Sequence, residues 1–373
     1  MRDSPLLAAH QVAGARLVEY AAWRLPVEFT SVAEEARATR RAGALFDVSH
    51  MGNLVLRGPG AVSFARKVLT RDIASVPVGC SAYALLCDQA GCILDDLIAM
   101  VVSPEEVRLV VNASHHDQDV AWLKEHLTPS EDVQIEDLRG RSFGLALQGP
   151  RSEDILESAG LSGGPPDLFA TFRQMQLGQA ALLVSRTGYT GEDGFELFGA
   201  AEDAPGLWQL LLDAGREHGL VPAGLAARDV LRQEMGYPLA GQDFNEQTTP
   251  LEAGLGWVID WNRDFVGRSA LEGSTPARRR ICFAMQEQGV ARRGAAIHLC
   301  GEQIGTVTSG TYSHNLGAAI GQGYVSTSAR PAPGTEVEIV VRGKLLRARF
   351  ESAPLIPRKT RPSWVARQRR ETP

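Results

Sequence analysis

No apolar run approaches the ~18–20 residues that a membrane-spanning helix requires. The opening Met1-Arg2-Asp3-Ser4-Pro5 has neither the apolar stretch of a secretory signal nor the long, acid-poor Arg/Ser-rich stretch of a transit peptide. A cytoplasmic protein of bacterial type is expected. The five cysteines, Cys80, Cys87, Cys92, Cys282 and Cys300, form no C-x-x-C. Three of them are spaced C-x6-C-x4-C, which is neither a zinc nor an iron–sulfur pattern. Reduced, mostly buried thiols are expected. The histidines include no H-x-x-x-H pair, and the adjacent His115 and His116 point about 100° apart on a helix. No metal is expected. A Walker loop, a G-x-G-x-x-G after a strand and a G-x-S-x-G elbow are all missing, so no nucleotide cofactor is expected and the common acyl-transfer reading falls. Basic excess is missing too: a net charge of -6 argues against a general nucleic-acid binder and gives no reason to expect a membrane surface.

What is present is an ordinary globular composition, 44% hydrophobic and 22% charged, over 373 residues. At roughly 100–200 residues per domain this allows two or three domains. Residues 1–50 read as helix-rich, with Ser31 and Glu34 forming a capping box for a helix over Val32–Arg41. Residues 53–138 read β-α-β-β-β-α-β, a split-βαβ or ferredoxin-like pattern with an extra strand. Its strands are Asn53–Arg57, Tyr83–Cys87, Cys92–Val102, Val107–Val111 and Val133–Leu138, and its helices Ala61–Leu69 and His115–Leu127. Residues 142–248 mix strands (Phe143–Leu147, Ala180–Ser185) with helices (Ala201–His218, Leu225–Met235). After a polar junction at 262–280, short strands with glycine punctuation predict a small all-β barrel or sandwich over 278–357. The tail, residues 358–373, carries six Arg/Lys against one Glu and reads as solvated and partly disordered. The fold class is thus α+β and multi-domain. Residues 1–52 with 139–262 form one mixed unit, 53–138 a second and 278–357 a third.

Asp95 and Asp96 are adjacent in a strand, so their side chains face opposite ways. Asp95 lies among Ile93 and Leu97, and Asp96 among Leu94 and Ile98. Both rows are apolar, and the pattern alone does not choose between the two acids. Gly188, Gly191 and Gly194 permit positive φ and close backbone approach, either against a flat ring or in a tight structural turn. Glu192 and Asp193 read as turn residues. His50 reads as a structural residue bonded to backbone, and Trp23 and Trp257 read as core.

Several dense strings remain: Asp-Val-Ser-His-Met-Gly at 47–52, Leu-Asp-Asp-Leu-Ile at 94–98, Val-Val-Asn-Ala at 110–113 and Leu-Gln-Gly-Pro at 147–150. They continue with Arg-Thr-Gly-Tyr-Thr-Gly-Glu-Asp-Gly-Phe-Glu at 186–196, Ala-Ala-Arg-Asp at 226–229, Thr-Pro-Leu-Glu-Ala-Gly-Leu-Gly-Trp at 249–257 and Thr-Ser-Gly-Thr at 308–311. In this order and spacing, from Leu6 to Pro357, the chain resembles the aminomethyltransferase (T-protein) family of the glycine cleavage system. The resemblance implies a three-domain cloverleaf with tetrahydrofolate in a central channel. It implies transfer of the methylene carbon of an S-aminomethyl group, carried on the lipoyl arm of the H-protein, to tetrahydrofolate. Ammonia, methylenetetrahydrofolate and dihydrolipoyl H-protein leave. A monomer is expected.

The same resemblance places the catalytic carboxylate at Asp96 and the pterin-binding acid at Glu196. Arg228, Tyr83, Asn112 and Tyr189 fall at folate-flanking positions, and Met51 either lines the channel or packs in the core. The sequence departs from the family in two places. Ala21-Ala22-Trp23 replaces Ala-Gly-Trp, and Arg358, Lys359, Thr360 and Arg361 stand where a site tyrosine often follows Pro-Leu-Ile-Pro. A basic residue there, Arg361, would suit the glutamate tail of folate. Three other readings compete. One is a folate-dependent demethylase on the same fold. Another is a non-catalytic folate-binding protein of iron–sulfur assembly, whose Lys-Gly-Cys-Tyr signature is replaced here by Arg186-Thr187-Gly188-Tyr189. The last is a detached domain of a flavoprotein dehydrogenase, against which stands the lack of a nucleotide-binding domain upstream.

Overall fold

Residues near the N-terminus form strands where helix was expected. Arg16–Tyr20 and Trp23–Glu28 form an antiparallel hairpin, and Arg2–Asp3 adds in parallel to its second strand. The sharp turn between them puts Ala21 and Ala22 at φ 48° and 62°, a conformation that glycine adopts at lower cost. The helix Val32–Arg41 forms as expected, with Ser31 Oγ accepting from the Glu34 N–H at 3.2 Å. The computed structural model describes residues 1–329 and 332–371. No helix among them is long and apolar enough to cross a membrane.

The β-α-β-β-β-α-β segment folds in the expected order. Its strands Gly52–Arg57, Ser81–Cys87, Ile93–Ser103, Glu106–Val111 and Gln134–Asp137 make one antiparallel sheet. One face is covered by helices Ala61–Val68 and His116–His126. Phe64, Val68 and Leu123 there meet Leu54, Leu97, Ala99 and Leu109. The opposite face, through Ile98, Met100 and Val110, packs on Leu183 and Phe198 of a second sheet. That six-stranded sheet runs in the spatial order Phe172–Leu177, Ala180–Ser185, Gly194–Ala200, Ser142–Gln148, Gly43–Asp47, Leu220–Ala223. Helices Ser152–Ser158 and Ala204–Gly215 cover its far side through Ile155, Leu207, Trp208 and Leu211. Each such buried apolar side chain contributes about 1.5–3 kcal/mol.

The C-terminal strands Arg278–Met285, Ala296–Leu299, Glu302–Ser313, Ala318–Ser326, Glu336–Val341 and Lys344–Glu351 close into a barrel, which removes exposed sheet edges. Phe283, Ile297, Val307, Ile339 and Phe350 fill it. Ala296–Leu299 escapes sequence reading because Ile297 is its sole buried residue and no alternation is visible. The junction before the barrel is anchored: Phe265 and Leu271 are buried with Ile259.

The tail corrects the expectation of a solvated segment. Backbone bonds at Lys359, Pro362 and Trp364 dock the segment on the body, and a helix spans Trp364–Glu371. Trp364 is buried in the core of the first sheet's helical face and donates its Nε1–H to the Ser81 carbonyl at 3.0 Å. Residues 372 and 373 lie outside the described residues. Trp23 is core, as read, but Trp257 is 65% exposed and stacks on Tyr83 instead. All five cysteines are free: three are buried, Cys92 is half-buried and Cys300 is exposed.

Candidate active site

Register separates the two acids that the sequence pattern left equivalent. On strand Ile93–Ser103, Asp96 shares its face with Ile98 and Met100, which pack on the second sheet. Asp96 therefore looks into the space between the sheets. Asp95, fully buried, looks the other way, toward helix His116–His126. On strand Gly194–Ala200, Glu196 shares a face with Phe198, a member of the same inter-sheet cluster. Each acid thus stands two residues along its own strand from one common contact, and both face the same space. Both are half-buried.

The Asp96 carboxylate is held on both oxygens. Tyr83 donates its hydroxyl to Oδ2 at 2.7 Å and Asn112 donates Nδ2–H to Oδ1 at 2.6 Å. Burial pushes this carboxyl up, and the Tyr83 and Asn112 hydrogen bonds pull it back. Tyr83 is raised well above its usual value by burial and then by Asp96. Its ring stacks on Trp257, with centroids 5.8 Å apart. Tyr189, from the other sheet's loop, also lies within reach of the Asp96 charge, which together with burial raises its hydroxyl. That hydroxyl donates to the Pro238 carbonyl, and the ring stacks on Tyr237 at 5.6 Å.

Arg228, on helix Leu225–Glu234, lays its guanidinium over the Tyr189 ring at 4.9 Å. Its neighbour Asp229 pairs with Arg232 at 2.8 Å, so no Arg228–Asp229 surface pair forms. Arg228 Nη1 is buried and meets no hydrogen-bond partner among the described residues. Glu196 Oε2 accepts from Thr187 Oγ1 at 2.6 Å, and Thr187 in turn reaches Ser185 at 3.0 Å. Thr187 was not singled out from the sequence, although it sits inside the glycine-rich string. Met51 is half-buried and joins the inter-sheet cluster as well as the cluster around Phe46 and Val48.

Other expectations are corrected. His50 is buried, yet its Nδ1 meets no partner among the described residues, so no backbone bond forms there. Burial and then Arg228 push its imidazole down to about 4, which keeps it neutral. Glu192 sits in the bend before strand Gly194–Ala200, as expected, but it is buried and paired with Arg40 at 3.1 Å. Asp193 pairs with Arg186 at 2.5 Å. Of the three glycines, Gly191 alone has positive φ, at 77°. A Cβ at Gly188 would fall 1.9 Å from Gln148 Oε1, so this glycine permits close packing on Gln148. In the tail, Arg358 lies 5.6 Å over the Tyr237 ring, which places a basic residue behind the Tyr189 wall. Arg361 is engaged by Glu153 at 3.0 Å.

Known proteins match nearly the whole chain. The GCVT N-terminal domain family matches residues 6–263, and the glycine cleavage T-protein C-terminal barrel domain matches residues 278–356. An aminomethyltransferase of Anoxybacillus flavithermus is 41% identical, over 96% of this chain and 99% of its own length. One from Thermotoga maritima is 39% identical, over 95% and 97%. The crystal structure of the glycine cleavage system aminomethyltransferase T from Bartonella henselae superposes with a TM-score of 0.90 at 34% identity, covering 96% of this chain and 99% of that one. These matches define a transferase of mixed α+β fold with a closed C-terminal barrel. The chain belongs to the aminomethyltransferase family, the T-proteins of the glycine cleavage system.

Proposed function

We propose that this chain is a cytoplasmic, monomeric aminomethyltransferase. It transfers the methylene carbon of S-aminomethyl-dihydrolipoyl H-protein to tetrahydrofolate. The observation that carries the reading is the pair of acids, Asp96 and Glu196, facing one space from opposite sheets. A pterin offers adjacent N–H donors along one edge, and a carboxylate accepts two of them in parallel. Glu196 suits that edge, because Thr187 engages only one of its oxygens among the described residues. The buried, unpaired Arg228 Nη1 suits an acceptor on the same ligand. Tyr189, Tyr83 and Trp257 supply flat walls.

The nucleophile in this chemistry is the folate N5, so the protein positions and stabilises charge rather than attacking. Asp96, held by Tyr83 and Asn112, provides a fixed negative charge where positive charge develops on nitrogen. Pre-set hydrogen bonds spare it reorganisation during the reaction. Met51 and Ile98 keep the adjoining inter-sheet region apolar.

Asp96→Asn is expected to cut kcat by ~10²-fold or more while folate affinity stays within a few-fold. Glu196→Ala is expected to weaken folate binding by about 10–100-fold through loss of a charged hydrogen bond. Transfer from aminomethyl-lipoyl H-protein, paired with calorimetric folate titration, checks both. Near-normal turnover of the first variant, or full folate affinity of the second, removes that residue from the site.

A further inference from the structure

We propose that Asp119 is a positioning residue for this reaction: with Asp95 it holds one proton between two buried carboxyls, and that proton keeps Asn112 clamped on Asp96. The inference rests on Asp96 being the reacting carboxylate. Asn112 touches both strand acids. Its Nδ2 donates to Asp96 Oδ1 at 2.6 Å, to the Asp96 carbonyl at 2.9 Å and to Asp95 Oδ1 at 2.9 Å. Its backbone N–H donates to Asp95 Oδ2 at 3.0 Å. The orientation of the amide on the reacting acid is therefore set from behind, by Asp95.

Helix His116–His126, toward which Asp95 looks, carries Asp119 within hydrogen-bonding range of it, and both acids are 0% exposed. Neither Asp119 oxygen meets a hydrogen-bond donor among the described residues. A dry carboxylate with no donor and no cation is strongly disfavoured. A proton shared with Asp95 removes the problem, because one carboxyl then donates to the other. The remaining groups facing the pair do not supply a cation. Asp96 is a third acid. His115 Nδ1 lies 3.5 Å from Asp95 Oδ1, but burial lowers its proton affinity and Glu246 only partly restores it. His116 is taken up by Asp137 at 2.9 Å. Among the described residues no Lys or Arg forms an ion pair with Asp95, Asp96 or Asp119.

Burial, and then the Asp119 charge, push Asp95 well above the carboxylate range. Burial and the Asp96 charge push Asp119 up to about 7, against a hydrogen bond with Asp95 that pulls it down. Asp119 therefore gives up its proton near 7, while Asp95, pushed higher, keeps the one proton that remains. Only when that last proton leaves do two facing carboxylates repel, the Asp95 anchor shift and Asn112 loosen from Asp96. Turnover accordingly declines on the alkaline side as the pair discharges.

The test uses the whole chain, with kcat and KM measured from about pH 6 to about pH 9. Asparagine has the shape of a carboxyl frozen in its protonated form. Asp119→Asn is therefore expected to keep kcat within about threefold of wild type at pH 7 and to lose the alkaline decline. Asp119→Ala, which leaves Asp95 facing nothing, is expected to lose about tenfold or more in kcat with little change in KM. Infrared spectra without substrate give a separate reading. The wild type should show a protonated-carboxyl stretch that weakens as pH rises through neutrality and is lost only at higher pH, and Asp119→Asn should lack it. The same alkaline decline in Asp119→Asn, or no such band in the wild type, overturns the proposal. A normal band in a protein whose Asp96→Asn variant is fully active leaves the shared proton standing but removes its positioning role.

Discussion

At the scale of single residues, environment assigns roles that residue type does not. Asp95 and Asp96 are chemically identical and adjacent, yet one faces a helix and the other the space between sheets. His50 is a second case. Its proton affinity falls from the usual 6.5 to about 4, because burial and Arg228 both oppose a charged ring. The sign follows directly. A native state that refuses the proton is favoured fully above pH 6.5, and it loses this advantage as pH falls toward about 4, where the unfolded chain is already protonated. His50→Gln cannot take up that proton. The stability difference between variant and wild type, from urea unfolding, is expected to shift in the variant's favour between pH 7 and pH 4.5. A difference constant with pH would mean that His50 is not held neutral. The sequence named His50 through its motif, but its charge state depends on an arginine far along the chain.

At the scale of elements, the two-residue turn at Ala21–Ala22 shows where pattern reading fails. The flanking strands Arg16–Tyr20 and Trp23–Glu28 show no clean alternation of buried and exposed residues, and no Asn-Gly or Gly-Gly marked a hairpin between them. Helix was the expectation there, and tertiary pairing overrode it. Both alanines carry positive φ, which costs each about 1 kcal/mol or more relative to glycine. Ala22→Gly, at φ 62°, is expected to raise stability by up to about 1 kcal/mol, less the extra entropy of the unfolded chain. Urea midpoints at constant m-value check this, and a destabilised variant would show that the turn bears no strain. The neighbouring elements were legible for opposite reasons. Val32–Arg41 advertised its cap, and Ile93–Ser103 is long with a strong run of buried residues.

At the scale of the whole molecule, the C-terminal segment ties separate units together. Leu355 N–H bonds the Glu234 carbonyl at 2.8 Å, and Lys359 N–H bonds the Gly191 carbonyl at 2.9 Å. Trp364 then enters the core under the first sheet. Arg40 works toward the same end from inside, pairing with Glu192 and Glu234, while Glu234 accepts from Ser313 of the barrel at 2.5 Å. Trp364→Ala is expected to cost about 3–5 kcal/mol, the usual range for a large buried aromatic. Denaturant unfolding measures it, and a change below about 0.5 kcal/mol would return the tail to the solvated state that its composition suggested.

The order of strands and helices over residues 53–138, an all-β unit at the end of the chain and the membership of the T-protein family were written in the sequence. Periodicity, caps and ordered motifs are local signals that survive without coordinates. Which of two adjacent aspartates meets the inter-sheet space, which acids are spent on Arg40 and Arg186, and where a basic tail comes to rest were settled by packing alone. Each of those outcomes depends on a partner far away in sequence, and a row of alternating side chains states which residues share a face without stating what that face will meet.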